Sequence, residues 1–189
     1  KPKDLIDKAI ELGLSGIAIT DHEALCAHME VNQYAKKIRE LYPDFTIALG
    51  NEIYLTETRD KNQPYYHFIL IAKDEISHKG LRELSSKAWY NSYYDRGMER
   101  VPTLKRELVE VMSHYKGHII GTTACMGGEL SKRIVEHHIA KEMNDPRTKE
   151  IGAEIGRVLD NLTLPASLMN SFFIVKSTQC PRISGLFSN

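Results

Sequence analysis

Apolar positions follow two different periods along the first 125 residues, and the change of period predicts helices and strands in turn. Helical spacing predicts helices over residues 3–13, 28–42, 78–90, 103–116 and 129–143. Short apolar runs predict buried strands over residues 16–20, 46–55, 65–72 and from 118 onward. Strands that alternate with helices are typical of a mostly parallel sheet covered by helices.

One connection departs from this alternation. Residues 56–64, between the second and third strands, are polar and predict a loop. Because only about nine residues join these strands and no helix intervenes, we expect the two strands to pair as an antiparallel hairpin. The last thirty residues follow neither period, and we predict no structure for them.

Composition narrows the classes of protein. A chain of 189 residues is long enough for one domain with a core. Its 25 basic and 25 acidic residues give a formal charge of zero, so any DNA contact needs a local basic patch or a larger protein. Three widely spaced cysteines indicate a reducing compartment rather than a disulfide framework. With no signal peptide and no apolar run of about 20 residues, we expect a cytoplasmic protein without membrane contact.

Polar side chains capable of metal binding stand near the ends of the predicted strands: Asp21, His22, Asn51, Glu52, His67 and Cys125. The carboxyl ends of parallel strands form the site face of α/β folds, and the expected hairpin would bring Glu52 and His67 together. Two imidazoles, a carboxylate and a thiolate suit zinc or manganese. Clustered ions of this kind support phosphoester cleavage.

Each of these residues also has a structural interpretation. Asp21 and His22 could cap the following helix, His67 could be a hydrogen-bonded core residue, and Cys125 could be a buried thiol. Glu52 is harder to explain in this way, because burying a carboxylate without a partner is costly. The remaining histidines are interpreted as solvated or helix-end residues: His28, His78, His114, His118, His137 and His138.

Aromatic and basic residues mix between positions 89 and 106. Such a mixture can stack on single strands and bind phosphates, which makes Tyr94, Arg96 and Arg100 candidate nucleic-acid contacts. The favoured interpretation of this stretch is structural: the end of a helix followed by a loop.

Four ordered motifs resemble those of the PHP (polymerase and histidinol phosphatase) domain: Gly16-Ile-Ala-Ile-Thr-Asp-His22, Ala48-Leu-Gly-Asn-Glu52, Tyr65-Tyr-His-Phe-Ile-Leu-Ile-Ala-Lys73 and Gly121-Thr-Thr-Ala-Cys-Met-Gly-Gly-Glu129. The chain is most similar to the form at the N-terminus of bacterial DNA polymerase III alpha subunits. The resemblance covers residues 1–140, interpreted as a partial PHP domain, and leaves 141–189 as a divergent tail without assignment. It implies an α/β fold, an incomplete distorted (β/α)7 barrel of the PHP type.

The resemblance also implies a chemistry. It makes His22, Glu52, His67 and Cys125 metal ligands for zinc or manganese, with no catalytic residue separate from them and with Asp21 and Asn51 as supporting residues. The complete family site holds up to three ions. Fewer are expected here, because the family's first motif, His-x-His, and its last, Asp-x-His, are absent.

The implied parent is a DNA-directed DNA polymerase, a nucleotidyltransferase of DNA replication, whose PHP site is a metal-dependent phosphoesterase or 3′–5′ exonuclease. DNA and other replicase subunits would be partners through that parent, and this chain alone is expected to be inactive. The alternatives are a non-catalytic structural PHP module and a free-standing PHP-type phosphatase. A barrel without its first strand has exposed edges, so we also expect marginal folding of the isolated chain.

Overall fold

The computed structural model describes residues 1–162, in which six α-helices and seven β-strands follow one another. The helices are α1 (Pro2–Glu11), α2 (His28–Leu41), α3 (Glu75–Tyr90), α4 (Lys105–Ser113), α5 (Glu129–Glu142) and α6 (Thr148–Leu162). The strands are β1 (Gly16–His22), β2 (Thr46–Thr56), β3 (Tyr66–Ala72), β4 (Tyr93–Asp95), β5 (Met98–Arg100), β6 (Pro102–Leu104) and β7 (Ile119–Thr123). The sequence predicts no structure for the last thirty residues, and most of these, residues 163–189, lie outside the described residues.

Every helix and strand that the periodicity predicts is present, with shifts of a few residues at the ends. The largest shifts, of three residues, are at the start of α3 and at the end of α4. The start of α4 also moves, because Pro102–Leu104 forms β6 instead of helix. The predicted loop after α3 is wrong in part: β4 and β5 pair there as an antiparallel hairpin. Its turn places Arg96 and Gly97 at φ angles of 49° and 78°, the positive values that a tight hairpin turn needs.

The main sheet has the strand order β1-β2-β3-β7, with β6 paired to the far end of β2. The predicted hairpin is confirmed, because β2 and β3 pair antiparallel. β1 and β6 run parallel to β2, and β7 runs antiparallel to β3. Only β3 therefore runs against the other four strands, and the fold of the described residues is a mixed α/β sheet.

The four helices α1 to α4 cover one face of this sheet. One core cluster joins the odd-numbered residues of β2 to α3 and α4: Ile53 and Leu55 with Leu81, Leu84, Leu108, Val111 and Met112. A second cluster joins Ile19 of β1 to Ile6, Val31 and Ile38 of α1 and α2. Ile19 pairs in register with Leu49, which shares a face with Ile53, so both clusters lie on the same side. The opposite face is left free for the even-numbered side chains of β1 and β2.

The last two helices pack against each other rather than across the sheet, and α5 also contacts β7. Within residues 1–162, no helix is long and apolar enough to cross a lipid bilayer.

Candidate metal centre

Three neighbouring strands bring His22, Glu52 and His67 to the face that the helices leave free. The parallel register pairs His22 with Glu52, and the antiparallel register pairs His67 with Tyr54. Directly paired residues point to the same side of a sheet, as do residues two apart in one strand. Glu52 and Tyr54 are two apart, so all four side chains share this face.

Glu52 lies between the two imidazoles. Its Oε1 accepts a hydrogen bond of 2.6 Å from Nδ1 of His67, and its Oε2 lies 3.9 Å from Nε2 of His22. Each residue offers a ligand atom within 4.8 Å of those of the other two. The side chain of Glu52 is only 14% exposed, whereas that of His22 is 57% exposed, so the group opens to solvent on the His22 side.

The loop after β7 carries Cys125 to the His67 side of this group. The Sγ atom of Cys125 lies 3.5 Å from Nδ1 of His67 and accepts a hydrogen bond from the backbone N–H of Gly127. The backbone N–H of His67 in turn donates to the carbonyl of Gly127 at 3.1 Å. A Cβ at Gly127 would lie 3.0 Å from the His67 ring, so a larger residue there would require the ring or the loop to shift by a few tenths of an ångström. The exposed Cys125 therefore borders the three-residue group.

The donors in this group fit a divalent metal ion. Two imidazoles, a carboxylate and an adjacent thiol are the ligands that zinc accepts, and imidazole with carboxylate also suits manganese. The Glu52 carboxylate directs one oxygen toward each imidazole, so it could contribute a ligand atom to two metal ions.

Tyr54 is a residue of this centre that the sequence interpretation missed. Its hydroxyl lies 3.2 Å from Nδ1 of His22, and its ring centroid lies 5.1 Å from that of His67. Burial, followed by the charge of Glu23, raises the pKa of the phenol. The neutral hydroxyl can accept the Nδ1–H of His22, which leaves the Nε2 lone pair of His22 facing Glu52. The available signal was the spacing of two residues from Glu52 along β2.

Glu23 is a second missed residue, and it ties the end of β1 to its neighbours. It is 2% exposed and has φ of 47°. One of its carboxyl oxygens accepts a hydrogen bond from the N–H of Tyr54, and its own N–H donates to the carbonyl of Glu52 at 2.9 Å. Its carbonyl accepts the Nε1–H of Trp89 at 2.7 Å. Burial raises the pKa of Glu23 to about 8, so its carboxyl is mostly protonated at neutral pH. No feature of the sequence separates this buried carboxyl from a solvated one.

The two expected supporting residues lie on the other face. Asn51 precedes Glu52 in β2, is 1% exposed, and has an Oδ1 atom without a hydrogen-bond partner in the described part of the chain. Asp21 is paired with Asn51 in register, and its charge raises the pKa of His28 against the larger lowering by burial. A supporting role for Asp21 and Asn51 therefore stays a prediction.

One histidine interpretation needs correction. His28 begins α2, as a helix-end residue would, but it is buried rather than solvated. Its Nε2–H donates to the carbonyl of Gly50 at 2.9 Å, and its Nδ1 lies 2.9 Å from Nε2 of His78. The sequence interpretation overlooked this pair because 50 residues separate its members.

The candidate nucleic-acid residues lie on the β4–β5 hairpin. Tyr94 is 68% exposed, and Arg96 occupies the turn. Arg100, at the end of β5, donates a hydrogen bond of 3.0 Å to the hydroxyl of Tyr65. The structure thus links Arg100, but neither of the other two residues, to the face that carries the metal centre.

Comparison with known proteins identifies the family of the chain and several of its relatives. The profile of the PHP domain family matches residues 1–163. A probable DNA polymerase, YorL, of Bacillus subtilis is 37% identical over 157 residues, which is 77% of this chain and 12% of that protein. The DNA polymerase III subunit alpha of Borreliella burgdorferi is 29% identical over 152 residues, again 77% of this chain and 12% of the relative. The chain thus spans about an eighth of the length of these polymerases.

A crystal structure described as a metal-dependent phosphoesterase, from Bifidobacterium adolescentis, aligns with a TM-score of 0.33 and 25% identity. The alignment covers 47% of this chain and 27% of that one, a likeness too low to support an argument. The family profile and the polymerase relatives carry the assignment instead: the chain belongs to the PHP domain family.

Proposed function

We propose that this chain carries the metal centre of a PHP domain that cleaves phosphodiester bonds as a 3′–5′ exonuclease within a bacterial replicative DNA polymerase. The observation that carries the proposal is the convergence of His22, Glu52 and His67, with Cys125 beside them. The polymerase relatives support the setting in DNA replication. Polymerisation, contacts with other replicase subunits and a cytoplasmic location are proposed for the longer protein.

The four residues divide the work of holding zinc or manganese. Glu52 would hold the ions from the centre, His22 from the solvent side, and His67 and Cys125 from the side of the β7 loop. Bound there, such ions lower the pKa of water and offset the negative charge of a phosphate. The hydroxyl of Tyr54 orients His22, and Glu23 fixes the backbone of Tyr54 and Glu52 through its hydrogen bonds.

We also propose that, in the complete domain, the uncovered face of the sheet becomes the inside of a distorted (β/α)7 barrel. The helices already lie on the opposite face, as they do on the outside of such barrels. Residues 1–140 would then belong to the partial PHP domain, and the family match to residue 163 extends this proposal through α6, with the residues after it as the divergent tail. Asp21 and Asn51 would support the metal ligands from the opposite face of the sheet.

Hydrolysis of bis(p-nitrophenyl) phosphate in the presence of Mn²⁺ or Zn²⁺ tests this proposal. The two absent motifs led to an expectation of inactivity, but the convergence of His22, Glu52 and His67 leads us to expect weak metal-dependent hydrolysis by the chain. This hydrolysis should be lost in Glu52→Ala and retained in the matched control Glu142→Ala at the exposed end of α5. Equal hydrolysis by the chain and by Glu52→Ala would contradict the proposal. Hydrolysis of the monoester p-nitrophenyl phosphate alone would favour a free-standing phosphatase.

A structural PHP module is the second candidate, and one observation favours it. Glu52 and His67 already satisfy each other through a 2.6 Å hydrogen bond, so this pair can hold β2 and β3 together without performing chemistry. For this candidate we expect no hydrolysis by the unchanged chain, and we expect Glu52→Ala to lower the urea midpoint of the metal-free chain.

A further inference from the structure

The aromatic residues beside the metal centre continue away from it along the same face. Tyr65 stands two positions before His67, so its ring lies on the side of the sheet that carries Glu52 and Tyr54. The ring centroids of Tyr54 and Tyr65 are 5.3 Å apart, and those of Tyr54 and His67 are 5.1 Å apart. A single ring, that of Tyr54, therefore separates Tyr65 from the candidate metal ligands.

Arg100 adds a positive charge to the outer end of this row. Its guanidinium carbon lies 5.8 Å from the ring centroid of Tyr65, and its Nη1 donates to the Tyr65 hydroxyl. These contacts involve a neutral phenol, and no carboxylate in the described part of the chain forms an ion pair with Arg100. The charge of Arg100 is therefore available to an anionic ligand.

We propose that Tyr54, Tyr65 and Arg100 form a binding site for single-stranded DNA, in which a base stacks on Tyr65 and Arg100 binds the adjoining phosphate. The inference rests on the proposed function and names the substrate-binding residues of that same centre. A strand whose end lies at His22, Glu52 and His67 would pass over Tyr54 and Tyr65 on its way out.

The chemistry favours a single strand over a duplex or a small phosphate ester. A ring can stack only on a base whose face is free, and aromatic rings combined with arginine are typical of single-strand sites. The chain as a whole has no net charge, so binding depends on local contacts rather than on a basic field.

The hairpin register distinguishes Arg100 from the other sequence candidates. Arg100 pairs with Tyr93, so these two side chains share one side of the hairpin, whereas Tyr94 points to the other. Lys61 lies over the ring of Tyr93 at 5.6 Å and adds a second positive charge on the Arg100 side. We therefore place the DNA on this side, with Tyr94 outside the contact.

Fluorescence anisotropy with a labelled oligothymidylate of about 12 nucleotides, measured in EDTA to prevent hydrolysis, tests the site. We expect Tyr65→Ala to weaken binding by about 5- to 150-fold, the range for loss of one stacked base, and Tyr65→Phe to retain most of it. Arg100→Ala should reduce the slope of log affinity against log salt by about 0.7. The matched controls Tyr90→Ala and Arg39→Ala, both at exposed positions, should bind like the unchanged chain.

Hydrolysis of bis(p-nitrophenyl) phosphate separates this inference from the proposed function. If the unchanged chain binds the oligonucleotide and Tyr65→Ala loses that binding, the inference is supported. Hydrolysis of the small diester by the unchanged chain, and its loss in Glu52→Ala, is scored separately as the test of the proposed function. Absence of oligonucleotide binding by the unchanged chain overturns the inference. It is also overturned if Tyr65→Ala and Arg100→Ala both bind as tightly as the unchanged chain. Loss of hydrolysis in Glu52→Ala with unchanged DNA binding supports both, because the two sites then act separately.

Discussion

Two pairs of histidines lie on opposite sides of the same sheet, and their surroundings differ in a way that separates a ligand from a structural residue. His22 and His67 flank the carboxylate of Glu52 on the uncovered face. His28 and His78 bond to each other between α2 and α3, and His28 also bonds to the carbonyl of Gly50. One pair surrounds a carboxyl group that is a candidate metal ligand, and the members of the other pair form hydrogen bonds with each other and with the backbone.

The hydrogen bonds fix the protonation of the buried pair. The carbonyl of Gly50 can only accept, so Nε2 of His28 carries a proton. In a neutral ring, its Nδ1 must then accept from Nε2–H of His78. Burial lowers the pKa of both histidines, which keeps them neutral. Neither ring nitrogen of His28 remains free for a metal. The number of histidines in a region therefore does not predict a metal site, whereas the hydrogen-bond partners of those histidines do.

The sharpest way to break this comparison is to remove one histidine from each pair. We expect His67→Ala to weaken binding of Zn²⁺ or Mn²⁺ by more than about 100-fold, because even residues that only orient a ligand contribute 10- to 100-fold. His78→Ala should leave metal affinity unchanged. Isothermal titration calorimetry of both variants checks this, and equal losses in the two would mean that the histidine pairs do not differ in kind.

Folding stability should show the opposite order. His28→Ala removes a buried ring together with its hydrogen bonds to the carbonyl of Gly50 and to the ring of His78, which costs about 1–3 kcal/mol. His22→Ala changes an exposed side chain and should stay within about 0.5 kcal/mol. Urea denaturation in EDTA measures both. A larger loss from His22→Ala would show that the uncovered face, rather than the covered one, stabilises the metal-free chain.

Much of the fold follows from the sequence, because its helices and strands are long enough to show their periods. The eleven-residue β2 and the helices α1 to α4 all have a buried side that repeats regularly. The three-residue strands β4, β5 and β6 are too short to show a period, and β6 forms only because it pairs with the end of β2. Their formation depends on contacts distant in sequence, which a local pattern does not contain.

The candidate site shows the same division. Strand ends and the hairpin predicted that Glu52 and His67 would meet, and they do at 2.6 Å. The pleat of β2 also implies that Asn51 faces away from Glu52, a consequence that the motif interpretation passed over. Glu23 could not be predicted, because its burial depends on Tyr54 and Trp89, which contact it only after folding.

Tyr54→Phe is a finer test of the uncovered face. Removal of the hydroxyl leaves the ring but takes away the hydrogen-bond partner of His22 Nδ1. We expect metal affinity to fall by about tenfold, the lower end of the range for groups that orient a ligand, because the contact is exposed. Calorimetric titration beside His78→Phe, which alters a ring on the covered face, provides the control. An unchanged affinity would mean that Tyr54 does not orient His22.

The smallest expected effect is a pH dependence of the covered pair. The pKa values of His28 and His78 are lowered in the folded chain, so the unfolded chain binds more protons just below pH 6.5. The pair therefore contributes less stability as the pH falls from about 7.5 to 5. The charges of Asp21 and Glu75 oppose this lowering, and that of Arg82 adds to it.

The measurement compares urea midpoints of the unchanged chain and His28→Ala across this pH range in EDTA. The difference in urea midpoint between the unchanged chain and His28→Ala should become smaller toward pH 5. Glu23 acts in the opposite direction, since burial raises its pKa to about 8, but it is present in both proteins and cancels. An advantage that grows on acidification would contradict the neutral pair.

The metal content of the purified chain, determined by elemental analysis after exposure to zinc and manganese, tests the central claim most directly. The account predicts stoichiometric metal in the unchanged chain and in His28→Ala, and none in Glu52→Ala, because Glu52 lies between the two imidazoles of the centre. The same metal content in Glu52→Ala as in the unchanged chain, or no metal in either, would contradict it.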